Sequence, residues 1–98
     1  MSVRMTFTVY VEGNGMAEGV RGRLLELCAE RDVDGEVTVV DVSADPQWAE
    51  ELNVVGIPTV VREHPRPRRR VIGSLEDGRR VAEALGLDDS VDGDGGGR

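Results

Sequence analysis

Three groups of residues have types and spacings that could do chemistry. Glycines at 13, 15, 19 and 22 punctuate VYVEGNGMAEGVRG, residues 9–22, where a strand-like run empties into a turn. Dinucleotide folds use such a turn to bring backbone N–H groups to a pyrophosphate, and Asp41, ending the next strand-like run, stands near the place of a ribose-binding acid. Against this, Glu18 occupies the third glycine position of G-x-G-x-x-G and puts negative charge where the phosphates would approach. Gly19 comes one residue late. The second candidate is Cys28, the only cysteine, which cannot form an internal disulfide. It falls on an apolar helical face with Leu24 and Leu27, where cysteine serves as a small hydrophobe. No pair or cluster offers metal-ligand spacing, so neither a metal nor a cofactor is expected. The third group is Arg62, Arg66, Arg68, Arg69 and Arg70, the only basic concentration in the chain. Arginine forks pair carboxylates bidentately, which suits a protein partner with an acidic rim. His64, between Glu63 and Pro65, reads as a solvated loop residue.

The chain that must position these residues has 98 residues, enough for one domain with a modest core. Its net charge is −7, and all 12 basic residues are arginine. Such a balance argues against a general nucleic-acid or anionic-membrane binder. Base stacking would also want aromatics, and Phe7, Tyr10 and Trp48 are the only three. The N-terminal residues alternate like a strand and lack the apolar run of a signal peptide, and nothing approaches the length of a membrane span. A cytoplasmic protein is expected.

Phe7, Val9 and Val11 share one face and Thr6, Thr8 and Tyr10 the other, which predicts a strand over about 4–12. Met16, Val20, Leu24, Leu27 and Cys28 then recur at helical spacing, predicting a helix to about Arg31. VTVVDV, residues 37–42, is nearly continuous in valine and reads as a central strand covered on both faces. Asp45-Pro46 is a helix start, so 46–52 reads as a short helix with Trp48, Ala49 and Leu52 on its apolar side. Residues 59–63 and 69–72 are edge-strand candidates joined by a proline-rich turn, hence a hairpin. The last helix is expected to open at Ser74, with Asp77 completing a capping box, and to close at Gly86 with Leu87 in a Schellman contact. Residues 88–98 are acidic, glycine-rich and without apolar spacing, and read as a disordered tail after a domain over 1–87. The order is β-α-β-α-β-β-α, an α/β class with a mixed sheet and helices on both faces.

VVGIPTVV, residues 54–61, placed after a short helix and opening a strand, resembles the thioredoxin superfamily. That resemblance implies a cis-proline at Pro58 facing the start of the first helix, where a thioredoxin carries its Cys-x-x-Cys. Gly15, Met16, Ala17 and Glu18 hold that place here, so the redox site is empty. Within the superfamily the chain is similar to the KaiB family over about residues 6–87, on YVEGN at 10–14, VVDVSADPQWAEE at 39–51, GIPT at 56–59 and PRPRRRVIGSL at 65–75. The resemblance implies a thioredoxin-like regulatory protein without catalysis, binding a KaiC-type RecA-like ATPase ring and modulating its phosphorylation cycle. It places Arg21, Arg62, Arg69 and Arg70 at the docking face. It also implies a second, tetrameric state with a rearranged C-terminal half, which the β-poor, acidic sequence after Glu83 disfavours, so a monomer or weak homo-oligomer is expected. A thiol oxidoreductase acting through Cys28 alone is the alternative.

Overall fold

The computed structural model describes residues 3–44, 47 and 58–88. Strand β1, Val3–Val11, buries Met5, Phe7, Val9 and Val11 and turns Thr6, Thr8 and Tyr10 to the other face, the period-two pattern of its sequence. Helix α1 spans Asn14–Glu30. It begins two residues before the apolar spacing does, because Gly13, at φ 93°, turns the chain and its carbonyl accepts from the Ala17 N–H at 3.2 Å. Leu24, Leu27 and Cys28 are its buried residues. Strand β2, Val33–Asp41, returns parallel to β1, with Val3 opposite Val33 and Val11 opposite Asp41. Strands β3, Thr59–His64, and β4, Arg69–Ile72, form the expected antiparallel hairpin. The turn between them carries cis bonds at His64–Pro65 and Arg66–Pro67.

Two expectations about strand position change. The sheet order is β2-β1-β3-β4, so the valine-rich β2 lies at an edge, with Thr38 and Val39 exposed. A continuous apolar run shows a capacity for burial but not where the strand sits. β3, expected at an edge, lies between β1 and β4, and Thr59, Val60, Val61 and Arg62 are all buried. Its prolines stand beyond the strand and remove no hydrogen bond from its ladder.

The last helix, α2, spans Gly78–Leu85. Its start differs from expectation: Asp77, not Ser74, is the N-cap, and its carboxylate accepts from the Arg80 N–H at 3.2 Å. Ser74 Oγ instead accepts from the Glu76 N–H at 3.1 Å, organising the preceding turn. The C-terminus closes as expected. Gly86 adopts φ 67°, the Leu87 N–H donates to the Ala82 carbonyl and the Gly86 N–H to that of Glu83, the paired bonds of a Schellman motif. Val81, Ala82 and Leu85 join Leu24, Leu27, Met5, Phe7 and Val9 in one core, so both helices cover the same sheet face. Burying each of these larger side chains contributes roughly 1.5–3 kcal/mol. The helices also touch: a Cβ on Gly78 would stand 2.8 Å from Leu27 Cδ2, so glycine is what lets α2 start against α1.

The helix expected over 46–52, which would cover the second face, lies outside the described residues except for Gln47, which is helical. Asp45, Trp48, the Ile57–Pro58 bond expected to be cis, and the tail from residue 89 also lie outside them. Among the described residues, no helix is long and apolar enough to cross a membrane.

Candidate functional site

The first turn of α1 faces Pro58 and the segment between β4 and α2 across an apolar groove of about 390 Å3. Met16, Val20, Pro58 and Leu75 supply its apolar wall and Arg23 crosses one side. The Arg23 guanidinium donates to the carbonyls of Leu75 and Glu76, both at 3.0 Å, and pairs with Glu26 at 2.9 Å. It thereby ties α1 to the loop that leads into α2. Sequence reasoning missed this residue, although its place one residue before Leu24 on the buried side of α1 was a usable signal.

No thiol lies at this turn. Cys28 is three helical turns further on, about 18 Å along the axis from Met16. It is buried, and that burial pushes its thiol up to about 11 against a smaller opposing effect of Arg31. A thiol kept protonated and out of contact with solvent cannot attack a disulfide at neutral pH. This geometry does not favour the single-cysteine oxidoreductase.

Asp41 joins the end of β2 to the start of α1. Its Oδ1 accepts from the Ser43 hydroxyl at 2.6 Å, the Ser43 N–H at 3.0 Å and the Gly13 N–H at 3.2 Å. These bonds, that of the Ser43 hydroxyl foremost, hold its carboxyl below the ordinary 3.8. The acid of the nucleotide-like pattern is occupied with the turn itself. No group of His, Cys, Asp and Glu among the described residues is placed to hold a metal ion.

The four arginines expected at one docking face are distributed differently. Arg62 is not a surface residue: it is 4% exposed, on the helix-covered face of β3. Its Nη1 donates to the Leu85 carbonyl at 2.9 Å and the Gly86 carbonyl at 3.3 Å, and its Nη2 to the Pro67 carbonyl at 2.9 Å. The cation thus meets the negative end of α2 and carbonyls that the helix leaves without partners of its own. Arg69, opposite Arg62 in the ladder, is half-buried, and Arg70, opposite Val61, is exposed. Arg68 pairs with Glu63 at 3.0 Å, and Glu63 accepts from the Thr8 hydroxyl at 2.9 Å. Arg21 is exposed on α1 beside Val39 of β2, at the other edge of the sheet. Three strand spacings, about 14 Å, separate that edge from β4, so Arg21 and the hairpin do not form one patch. His64 is exposed at the hairpin tip.

Comparison with known proteins gives a consistent result. Residues 8–87 match the KaiB domain family. A circadian clock oscillator protein KaiB of Acaryochloris marina is 38% identical over 92 residues, covering 89% of this chain and 86% of that protein. Among solved structures, the N-terminal domain of Synechococcus elongatus SasA superposes with a TM-score of 0.58 at 18% identity, covering 94% of this chain and 83% of that one. Chloroplastic thioredoxin z gives 0.60 at 21% identity, covering 89% and 80%. The fold is thioredoxin-like.

Proposed function

The chain belongs to the KaiB family, and from that membership we propose that it is a non-catalytic, cytoplasmic clock regulator that binds a KaiC-type RecA-like ATPase ring and modulates its phosphorylation and ATPase cycle. One observation carries the non-catalytic part: the first turn of α1, facing Pro58, has the surroundings of a thioredoxin site and no thiol, while the single cysteine is buried elsewhere. A protein with that frame and no reactive group acts by binding. Arg69 and Arg70 are the basic residues at the β4 edge that remain for an acidic rim once Arg62 is assigned to the interior, with Arg21 a separate contact. Exposed ion pairs contribute under about 1 kcal/mol each, and desolvated ones about 2–5 kcal/mol when one partner is removed.

The test removes two arginines together. Arg69→Ala with Arg70→Ala is expected to keep the circular dichroism spectrum and weaken binding to the ring at least tenfold, about 1.4 kcal/mol. Arg98→Ala should leave binding unchanged. Undiminished affinity in the double variant would put the interface elsewhere. An insulin-reduction assay with turnover lost in Cys28→Ser would replace the whole reading with the oxidoreductase.

A further inference from the structure

The antiparallel ladder decides which backbone groups of β4 face outward. The Gly73 N–H donates to the Pro58 carbonyl at 2.8 Å, and the register that sets Thr59 against Ile72 sets Pro58 against Gly73, so these two form a hydrogen-bonded pair. Hydrogen-bonded and non-hydrogen-bonded pairs alternate along such a ladder. Val71 therefore exchanges bonds with Val60, whereas Arg70 and Ile72 turn their N–H and C=O groups away from β3. Because β4 ends the sheet order β2-β1-β3-β4, those groups point off the edge with no partner among the described residues. The side chains of the same two residues are exposed on the face away from the helices, with Val71 between them buried in the core. Ile72 is 37% exposed, and Arg70 makes no hydrogen bond or ion pair among the described residues. Arg68 is occupied by Glu63 and Arg69 lies on the helix-covered face, so Arg70 is the charge this edge presents. We infer that the β4 edge takes up an extended acidic segment of a partner protein as an added antiparallel strand, with an aliphatic residue opposite Ile72 and a carboxylate two residues later opposite Arg70. Unpaired edge groups are a template for a further strand, and cross-strand pairs on the exposed face select its side chains. An antiparallel addition closes both outward residues into hydrogen-bonded pairs. The opposite edge, β2, carries Asp34, Glu36 and Asp41 and turns an acidic segment away. A second copy of β4 would bring another arginine-rich strand, which like charge opposes. The inference goes beyond the docking reading, since it specifies strand addition for an acidic segment of any protein, and it shares Arg70 with that reading.

The experiment titrates the intact protein with a capped peptide whose core is Thr-Val-Thr-Glu-Thr, followed by amide chemical shifts and hydrogen exchange. In the free protein the Arg70 and Ile72 amides should exchange faster than that of Val71. The peptide should shift both saturably and slow their exchange. N-methylation of the peptide's glutamate amide, which faces β4, should weaken binding about tenfold, whereas N-methylation of the threonine before it, which faces away, should leave affinity within about twofold. Exchanging the peptide's glutamate for lysine should weaken binding about fivefold, and Arg70→Glu should reverse that preference with an unchanged circular dichroism spectrum. Protected Arg70 and Ile72 amides in the free protein, equal effects of the two methylations, a lysine peptide as tight as the glutamate one, shifts confined to β2, or a dimer paired through β4 would each overturn the inference. Ring binding by the Arg69→Ala, Arg70→Ala variant is measured separately. Peptide binding beside an undiminished ring affinity in that variant keeps strand addition and removes the docking reading, and ring binding that needs the arginines without peptide binding does the opposite.

Discussion

Arg62 is the residue whose role changes most between sequence and structure. In TVVREH it is followed by Glu63 and His64, and the rule that charge faces solvent sends it outward. It is buried because α2 ends over it, presenting the Leu85 and Gly86 carbonyls, while Pro67 of the hairpin turn supplies a third acceptor. Those contacts are 5 to 24 residues away in sequence, beyond any local pattern. Arg62→Ala removes three charge-assisted bonds and leaves buried carbonyls without them, so a loss of about 2–4 kcal/mol in urea denaturation is expected. A loss under about 0.5 kcal/mol would mean the guanidinium is dispensable to α2. Cys28 makes the opposite case, since its apolar helical spacing announced its burial. Its folded thiol titrates near 11 against 9.0 ordinarily, so the fold favours the neutral form. The stability this gives is complete below pH 9 and is lost as pH rises through about 11. Native protein at pH 8 should react with an aromatic disulfide reagent only as fast as it unfolds. Stoichiometric labelling within seconds would place the thiol at the surface.

Among the elements, α2 shows what local signals can and cannot decide. Its C-terminus was legible because Gly86-Leu87 after an apolar repeat permits few other geometries. Its N-terminus was ambiguous, since Ser74 and Asp77 are both capping types three residues apart. Contact with α1 decides between them, because the helix can only begin where Gly78 clears Leu27, and Arg23 holds the preceding carbonyls in an extended loop. Asp77→Ala should therefore cost about 1 kcal/mol, and Ser74→Ala under about 0.5 kcal/mol, by chemical denaturation. Equal costs would return the cap to Ser74. The strands divide the same way. Alternation revealed the buried face of β1, and the proline-rich turn between two strand candidates revealed the pairing of β3 with β4, both local properties. Edge or centre is a property of the whole sheet, and the valine run of β2 is compatible with either. The docking arginines were legible as a charge cluster but not as a surface, because whether Arg21 and Arg70 share one depends on the sheet order.

At the scale of the whole molecule, the C-terminal half is held together, and tied to α1, by contacts that act together. Arg62 links β3, the hairpin turn and the end of α2, Arg23 links α1 to the loop before α2, and Arg31, near the end of α1, pairs with Asp88 at 3.1 Å. A state with the second half rearranged, as the family resemblance implies, has to give up the acceptors of a buried cation and the Schellman closure together. Nothing in EALGLDDSVDGDGGGR offers a strand in exchange, since β-branched residues are nearly absent and acids abundant. The expected outcome is that the partner-free protein elutes as a monomer in size exclusion with light scattering at micromolar concentration, with helical chemical shifts over 78–85. Arg62→Ala should raise the share of any second state, because that substitution weakens only the thioredoxin-like arrangement. A stable tetramer of the unmodified chain with strand shifts between 76 and 85 would show that these ties are outweighed. In that case the thioredoxin-like form would depend on the partner for its population, by the affinity difference between the two states.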